Sequence, residues 1–243
     1  MTDKMNSAHK LLSKKERSEI FKLFLENNRL KFNEIEKSLK IRSNMVSYHL
    51  TSMVRDGLLV KKGEYYHLTE HAEKYIPIFS DIFGMDVGPL PVVLVAVVNK
   101  KQDKILLVKR NKRPYKNYWS MIGGKILLHE DFKEASIRKV KEKTGKDSVF
   151  ISLNDMMHER IEGSGMVKHS FILLFTKVVV RDNIFKETHA GELRWFSIDK
   201  LDPSIIIPSD YYLIKKSLNK KHGMKSLYMH EKDGLIEKYK FLN

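Results

Sequence analysis

Apolar side chains recur at helical spacing in the first part of the chain, and at strand spacing or in short runs after it. Ile20, Phe21, Phe24 and Leu25 fall on one side of a helix. That helix opens at Ser13-Lys14-Lys15-Glu16, where a serine and a glutamate three residues on can satisfy the free amides of a helix start. Asn33-Glu34-Ile35-Glu36 gives a second start signal and predicts a short helix ending near Lys40. After a tight turn, a third helix begins near Ser43 with Val46, Leu50, Met53 and Val54 as its apolar stripe. Its other face carries Asn44, Ser47, Tyr48, Thr51 and Arg55, and Gly57 ends it. Leu58 to Lys62 and Glu64 to Leu68 predict two strands around Gly63, with a further helix from Thr69.

Helical spacing stops at the stretch over 76–91, which holds three of the six prolines and two glycines and so predicts a linker. Ile76, Ile78, Phe79, Ile82 and Phe83 within it predict that it packs. Val92 to Val98 follows as a buried strand and Lys104 to Lys109 as a second, leading into a basic loop from Arg110 to Lys116. Near the end, Ser226 to Phe241 predicts a hairpin turning at Lys232-Asp233-Gly234. The expected division is a first domain over 1–75, a linker over 76–91, a second domain over 92–213 and an extension over 214–243. Mixed elements of this kind make an α+β protein of two domains.

Charge and composition narrow the chemistry. The 243 residues carry a formal net charge of +15, with 45 Lys and Arg against 30 Asp and Glu. That balance favours partners bearing phosphate: nucleic acid, nucleotides or an anionic surface. A lysine-rich proteome would produce the same excess without such meaning. No cysteine is present, which excludes disulfides, thiolate catalysis and cysteine-bound zinc. The longest apolar run, Leu90 to Val98, is far too short to span a membrane, and Met1 to Lys15 has no apolar signal core. The expectation is a soluble cytoplasmic protein without a membrane partner.

The order helix, short helix, turn, longer helix and hairpin resembles a winged helix-turn-helix. The segment IRSNMVSYHLTSMVRDGLLVKKGEYYHLT carries that resemblance, which covers about Ser13 to Tyr75. It implies double-stranded DNA as partner, with the second helix of the pair in the major groove. Asn44, Ser47, Tyr48 and Arg55 then fall where bases or phosphates are met, and Lys61 and Lys62 fall on the wing. The same domain type also serves as a protein-interaction module, and polar residues on a helix face can simply be solvated. His49 and His67 have no partner histidine at ligand spacing and are expected at the surface or in packing.

The second domain contains YWSMIGGKILLHEDFKEASIRKVKEKTG. Gly124 is followed after five residues by Glu130, after seven more by Arg138, and then by Val140 and Gly145. That long fixed spacing, the run Trp119 to Lys125 before it and GELRWFSIDKL from Gly191 to Leu201 resemble the Nudix hydrolase family, over about Val92 to Asp210. The resemblance implies an α/β/α sandwich with a mixed sheet. On one helix, Glu130, Glu134, Arg138 and Glu142 would share a face. In the family such carboxylates hold magnesium against a diphosphate while water attacks phosphorus. Glu142, Glu130 and Arg138 occupy the catalytic positions, and Glu142 and Glu130 the metal positions. Gly123, Gly124 and Arg113 fall with the ligand, Arg110 and Lys112 in the basic loop, and Glu187 or Glu192 where an extra carboxylate can enter. Tyr115, Tyr118 and Trp119 are aromatic candidates for stacking, although Trp119, Trp195 and Phe196 read as core.

This chain departs from the family at the charges. Lys139 and Lys143 stand where the box has glutamates, so the local formal charge moves from −2 to +2. A unit cation about 5 Å from one lysine feels about 3 kcal/mol of repulsion at an effective dielectric near 20. Magnesium should bind poorly; Glu130, Glu134 and Glu142 can instead pair with Arg138, Lys139 or Lys143, or the two lysines can attract a diphosphate directly. The sequence therefore suggests a homodimeric DNA-binding regulator that senses a nucleotide-like or other phosphate-containing metabolite. No cofactor is required unless hydrolysis survives, in which case it is magnesium. The competing reading is an active magnesium-dependent hydrolase of nucleoside diphosphate derivatives. A third is an RNA-linked protein using its basic surface without operator specificity.

Overall fold

The computed structural model describes residues 12, 14–76, 88–111, 115–163, 165–181, 191–232 and 235–242. It divides into two compact units, Met1–Val87 with Met229–Lys240 and Gly88–Tyr228 with Phe241–Asn243.

In the first unit, α1 (Lys15–Glu26) leads through β1 (Leu30–Lys31) to α2 (Phe32–Leu39) and α3 (Ser43–Arg55). Then come β2 (Leu59–Lys62), β3 (Tyr65–Leu68) and the short α4 (Glu70–Glu73). Ile20, Phe21 and Phe24 of α1 pack with Ile35 of α2 and with Val46, Leu50 and Met53 of α3. Val54, expected in the α3 stripe, is 37% exposed instead. Val46, Leu50 and Met53 share a strip about 60° wide on the helix, and Val54 falls roughly 40° beyond its Leu50 edge. Ser13 of the expected cap lies outside the described residues, and Lys14 stands at the N-cap. The second helix starts two residues earlier than the Asn33 signal implies, with Lys31 at the N-cap donating its amide to the Glu34 carboxylate at 2.6 Å. The β2–β3 hairpin turns through Gly63 at φ +60°, a left-handed conformation that glycine adopts at little cost. β1 adds to β3, giving a three-stranded sheet in the order β1-β3-β2.

The second unit is built on β4 (Leu90–Val98), the longest apolar run of the sequence. Val93, Val95 and Val97 enter one core with Phe132, Ala135 and Val140, while Leu94, Ala96 and Val98 enter another with Leu213 and Ile214. A strand buried on both faces needs no polar alternation, which explains the unbroken run. The remaining elements are β5 (Lys104–Lys109), β6 (Trp119–Ser120), β7 (Ile122–Lys125), α5 (Phe132–Thr144), β8 (Ser148–Gly163), β9 (Met166–Val180), β10 (Leu193–Ser197) and α6 (Pro208–Ser217). The sheet is mixed: β4 runs parallel to β9 and antiparallel to β5 and β7. Its main path is β10-β5-β4-β9-β8, with α5 packed on one core and α6 on the other. The second unit is thus a mixed sheet between helices, the layering that the resemblance noted in its sequence implies. The last strands, β11 (Ser226–Lys232) and β12 (Leu235–Leu242), pair as a two-stranded sheet. The expected turn residues Asp233 and Gly234 lie outside the described residues. No helix among the described residues is long and apolar enough to cross a membrane.

Candidate functional site

The box is a strand, a loop and a helix. β7 ends at Lys125, the loop folds back, and α5 starts after Asp131. The Asp131 carboxylate accepts the amides of Lys133 at 2.8 Å and Glu134 at 2.9 Å. Glu134 returns the bond by accepting the Asp131 amide at 3.0 Å. This reciprocal cap sets the helix start and corrects the expectation that Glu130 shares a helical face with Glu134, Arg138 and Glu142. Glu130 precedes the helix, and Glu134 is spent on the cap. Gly145 closes α5 at φ +70°, donating its amide to the Lys141 carbonyl.

Glu130 nevertheless reaches the box through Arg138. Arg138 Nε donates to Glu130 Oε2 at 2.7 Å, and its Nη2 contacts Glu130 Oε1. Arg138 Nη1 donates to Glu142 Oε1 at 2.7 Å, while Nη2 also meets the Lys125 carbonyl at 3.1 Å. Lys139 Nζ donates to the other oxygen of Glu142 at 2.8 Å. Glu130, Arg138, Glu142 and Lys139 therefore form a continuous chain of alternating charge. Burial pushes the Glu130 carboxyl up, but the Arg138 bond and the Leu127 amide outweigh it and hold the group below its ordinary range. Glu142 behaves alike: burial raises it, and the bonds from Lys139 and Arg138 bring it below the ordinary value. The Arg138 guanidinium is pushed up, first by its bond to Glu130.

Two backbone positions fit this arrangement. A Cβ at Gly123 would lie 2.7 Å from the Val93 carbonyl oxygen, so β7 packs there only as glycine. A Cβ at Gly124 would lie 2.6 Å from Lys139 Cε and 3.3 Å from its Nζ. The lysine stem thus runs across the face of Gly124. Lys143 stands in the last turn of α5, half-buried. Arg113 and Lys112 lie outside the described residues, as does Glu187. Glu192 pairs with Arg194 at 2.5 Å. Among the described residues, no three acidic or histidine side chains converge as a cation site.

Beside the box lies a cavity of 320 Å³, lined in part by Arg110, Tyr115, Gly123, Gly124, Glu159 and Asp210. Its walls are otherwise largely apolar, including Val92, Leu94 and Leu173. Asp210, in the first turn of α6, is 2% exposed and accepts the Met121 amide at 2.6 Å. Burial raises its pKa to about 7, with repulsion from Glu159 adding to the rise and the Met121 amide and Arg110 opposing it. Tyr115 sits at φ +64° with its hydroxyl bonded to Glu159. Burial, then Glu159 and Asp210, push that hydroxyl up to about 12. Ser209 also bonds Glu159. Asp210, Glu159 and Ser209 were not legible as site residues. The only local signal is Pro208 at the first turn of a helix, followed by an acid. Tyr118 is 42% exposed and does not line the cavity, while Trp119 is buried edge-on against Phe196, as expected of core.

In the first unit, Asn44, Ser47, Tyr48 and Arg55 are exposed on α3, and Lys61 and Lys62 are exposed on β2. Tyr48 is 57% exposed. Arg55 spans Ser52 Oγ at 3.0 Å and Asp56 at 3.6 Å. The Asn44 side chain accepts the Met45 amide at 2.8 Å. His49 is buried, and neither ring nitrogen has a hydrogen-bond partner. Burial lowers its pKa; Glu16 raises it, and Arg17 and Lys14 lower it further.

A mixed sheet lies between two helices and carries a glycine-led loop and a capped box helix whose acids are internally paired. The chain belongs to the Nudix family: the NUDIX domain model matches residues 88–216. An ADP-ribose pyrophosphatase of Methanocaldococcus jannaschii is 40% identical over 55 residues, which is 23% of this chain and 32% of that protein. An ADPR responsive transcriptional repressor, NtrR of Acinetobacter baylyi, is 39% identical over 68 residues, 26% of this chain and 27% of that protein. The chain spans about a third or less of the length of the curated relatives it matches. Among solved structures, the NUDIX domain of Shewanella oneidensis NrtR complexed with ADP ribose aligns with a TM-score of 0.46 at 17% identity. That alignment covers 61% of this chain and 96% of that domain.

Proposed function

We propose that this protein is a DNA-binding transcriptional regulator whose Nudix domain senses a nucleotide or another phosphate-containing metabolite, with hydrolysis weak or lost. One observation carries the reading: both oxygens of Glu142 and both of Glu130 are taken by internal cations, beside a formed cavity. A pocket that keeps its shape while the box acids next to it are neutralised retains binding and loses the means of activating water. The first unit supplies the output. Its element order fits a winged helix-turn-helix, with α3 presenting Asn44, Ser47, Tyr48 and Arg55 and the hairpin presenting Lys61 and Lys62. The net charge of +15 supports a polyanionic partner. A homodimer reading paired half-sites completes the proposal. The relatives named for ADP-ribose chemistry and ADPR response suggest ADP-ribose as the first probe.

The M. jannaschii relative favours a second reading, an active magnesium-dependent hydrolase of ADP-ribose or similar nucleoside diphosphates, with Glu142 and Glu130 as ligands and Arg138 as their support. One assay separates the two. The full chain is incubated with ADP-ribose and magnesium or manganese, and its binding to labelled DNA is followed with and without ADP-ribose. The regulator reading expects DNA binding that ADP-ribose alters, and turnover no faster in the parent than in Glu142→Gln. Robust turnover abolished by Glu142→Gln, with no DNA binding at moderate salt, establishes the hydrolase instead.

A further inference from the structure

We propose that the Lys139 ammonium stands in for the divalent ion of the family: a tethered cation that receives the ligand's phosphate across Gly124, so that binding needs no metal. This inference rests on the reading of the cavity as a site for a phosphate-containing ligand. A hard cation such as magnesium is held by carboxylates whose charge is not already balanced by the protein's own cations. Here Glu142 accepts from Arg138 on one oxygen and from Lys139 on the other. Glu130 accepts from Arg138 on both oxygens and from the Leu127 amide on one. Glu134 is committed to the helix cap. The residues present therefore fit the ion poorly, since it would have to displace Arg138 from Glu130 and Arg138 or Lys139 from Glu142.

The geometry of Lys139 suits the substitute role. Its stem runs against Gly124, and Gly124 lines the cavity, so a single glycine separates the lysine from the cavity lining. The side chain is 19% exposed, which leaves it held in place yet within reach of solvent and ligand. An ammonium has three donors, and the bond to Glu142 uses one. A phosphate oxygen can thus be added without breaking the Glu142 pair. Arg110 lines the same cavity and offers a second cation for a diphosphate. A lysine attracts phosphate as a point charge but does not turn bound water into hydroxide, as a metal does. The ligand class is accordingly a nucleoside diphosphate derivative, or its inorganic part alone, held and not cleaved.

The test is calorimetric titration of the full chain with ADP-ribose and, separately, with inorganic pyrophosphate, in excess EDTA and in millimolar magnesium. The expected Kd for ADP-ribose agrees within about two-fold between the two conditions. Lys139→Met should weaken it by about ten-fold or more, and Lys139→Arg should restore most of it. Pyrophosphate should lose affinity in Lys139→Met in the same proportion, and the thermal midpoints of the variants report that the fold is intact. Binding that appears only with magnesium overturns the inference while leaving the sensing reading standing. So does metal-free binding that is indifferent to Lys139→Met. Absence of binding by either probe under both conditions overturns both.

Discussion

At the scale of single residues, Asp210 is the group whose environment most contradicts its ordinary chemistry. Its carboxyl is buried, and its pKa rises from 3.8 to about 7. Between those values the folded state keeps a proton that the unfolded chain has released. Stability therefore falls as pH rises from about 4 to about 7, and levels off above that, by an amount on the order of 4 kcal/mol at most. Asp210→Asn keeps an oxygen for the Met121 amide and removes the ionisation. Its thermal midpoint should exceed the parent's near pH 8 and approach it near pH 4. Both tryptophans, Trp119 and Trp195, belong to the second unit, so their emission reports the unfolding that Asp210 controls. A parent and variant with parallel pH profiles would mean that Asp210 titrates as an ordinary acid.

At the scale of elements, the box shows how far sequence reasoning reaches. The fixed spacing from Gly124 to Gly145 located the loop and helix, and the substitution of lysine at 139 and 143 was legible as a change of charge. The partners were only partly legible. Glu130 was expected on the helix because its spacing from Glu134 is helical, but the Asp131 cap starts α5 after it. β4 was readable because both its faces are buried. The β8–β9 hairpin was not, since exposed Val149, Ile151 and Met156 and three register shifts break its period. Asp210 and Glu159 escaped for another reason: their settings depend on Met121, 89 positions from Asp210, and Ser209, 50 positions from Glu159. Such distances carry no local pattern. The charge argument for α5 has its own test. Lys139→Glu with Lys143→Glu returns two carboxylates and shifts the local formal charge by four units, which at roughly 3 kcal/mol per close unit pair should raise magnesium affinity by well over ten-fold. Calorimetric titration of parent and double variant with magnesium measures it. If the double variant binds no more metal than the parent, the Arg138 bridges, and not the lysines, keep the ion out.

At the scale of the whole molecule, a regulator requires that the two sites exchange free energy. A ligand shifts DNA binding only if its affinity differs between the DNA-competent and the incompetent state. Linkage then fixes a quantity that needs no knowledge of direction or of the intervening path. If saturating ADP-ribose changes the affinity for DNA by some factor, saturating DNA must change the affinity for ADP-ribose by the same factor. Couplings of this kind are typically about 1–3 kcal/mol, so a factor of roughly 5–150 is expected, well within the reach of anisotropy and calorimetry. Both titrations must share one ionic strength, because any DNA binding by a chain of net charge +15 would depend steeply on salt. Equal factors different from unity make the protein a ligand-controlled DNA binder. Factors that are both unity leave two independent activities on one chain, and unequal factors reveal a further linked equilibrium, of which dimerisation is the first to measure.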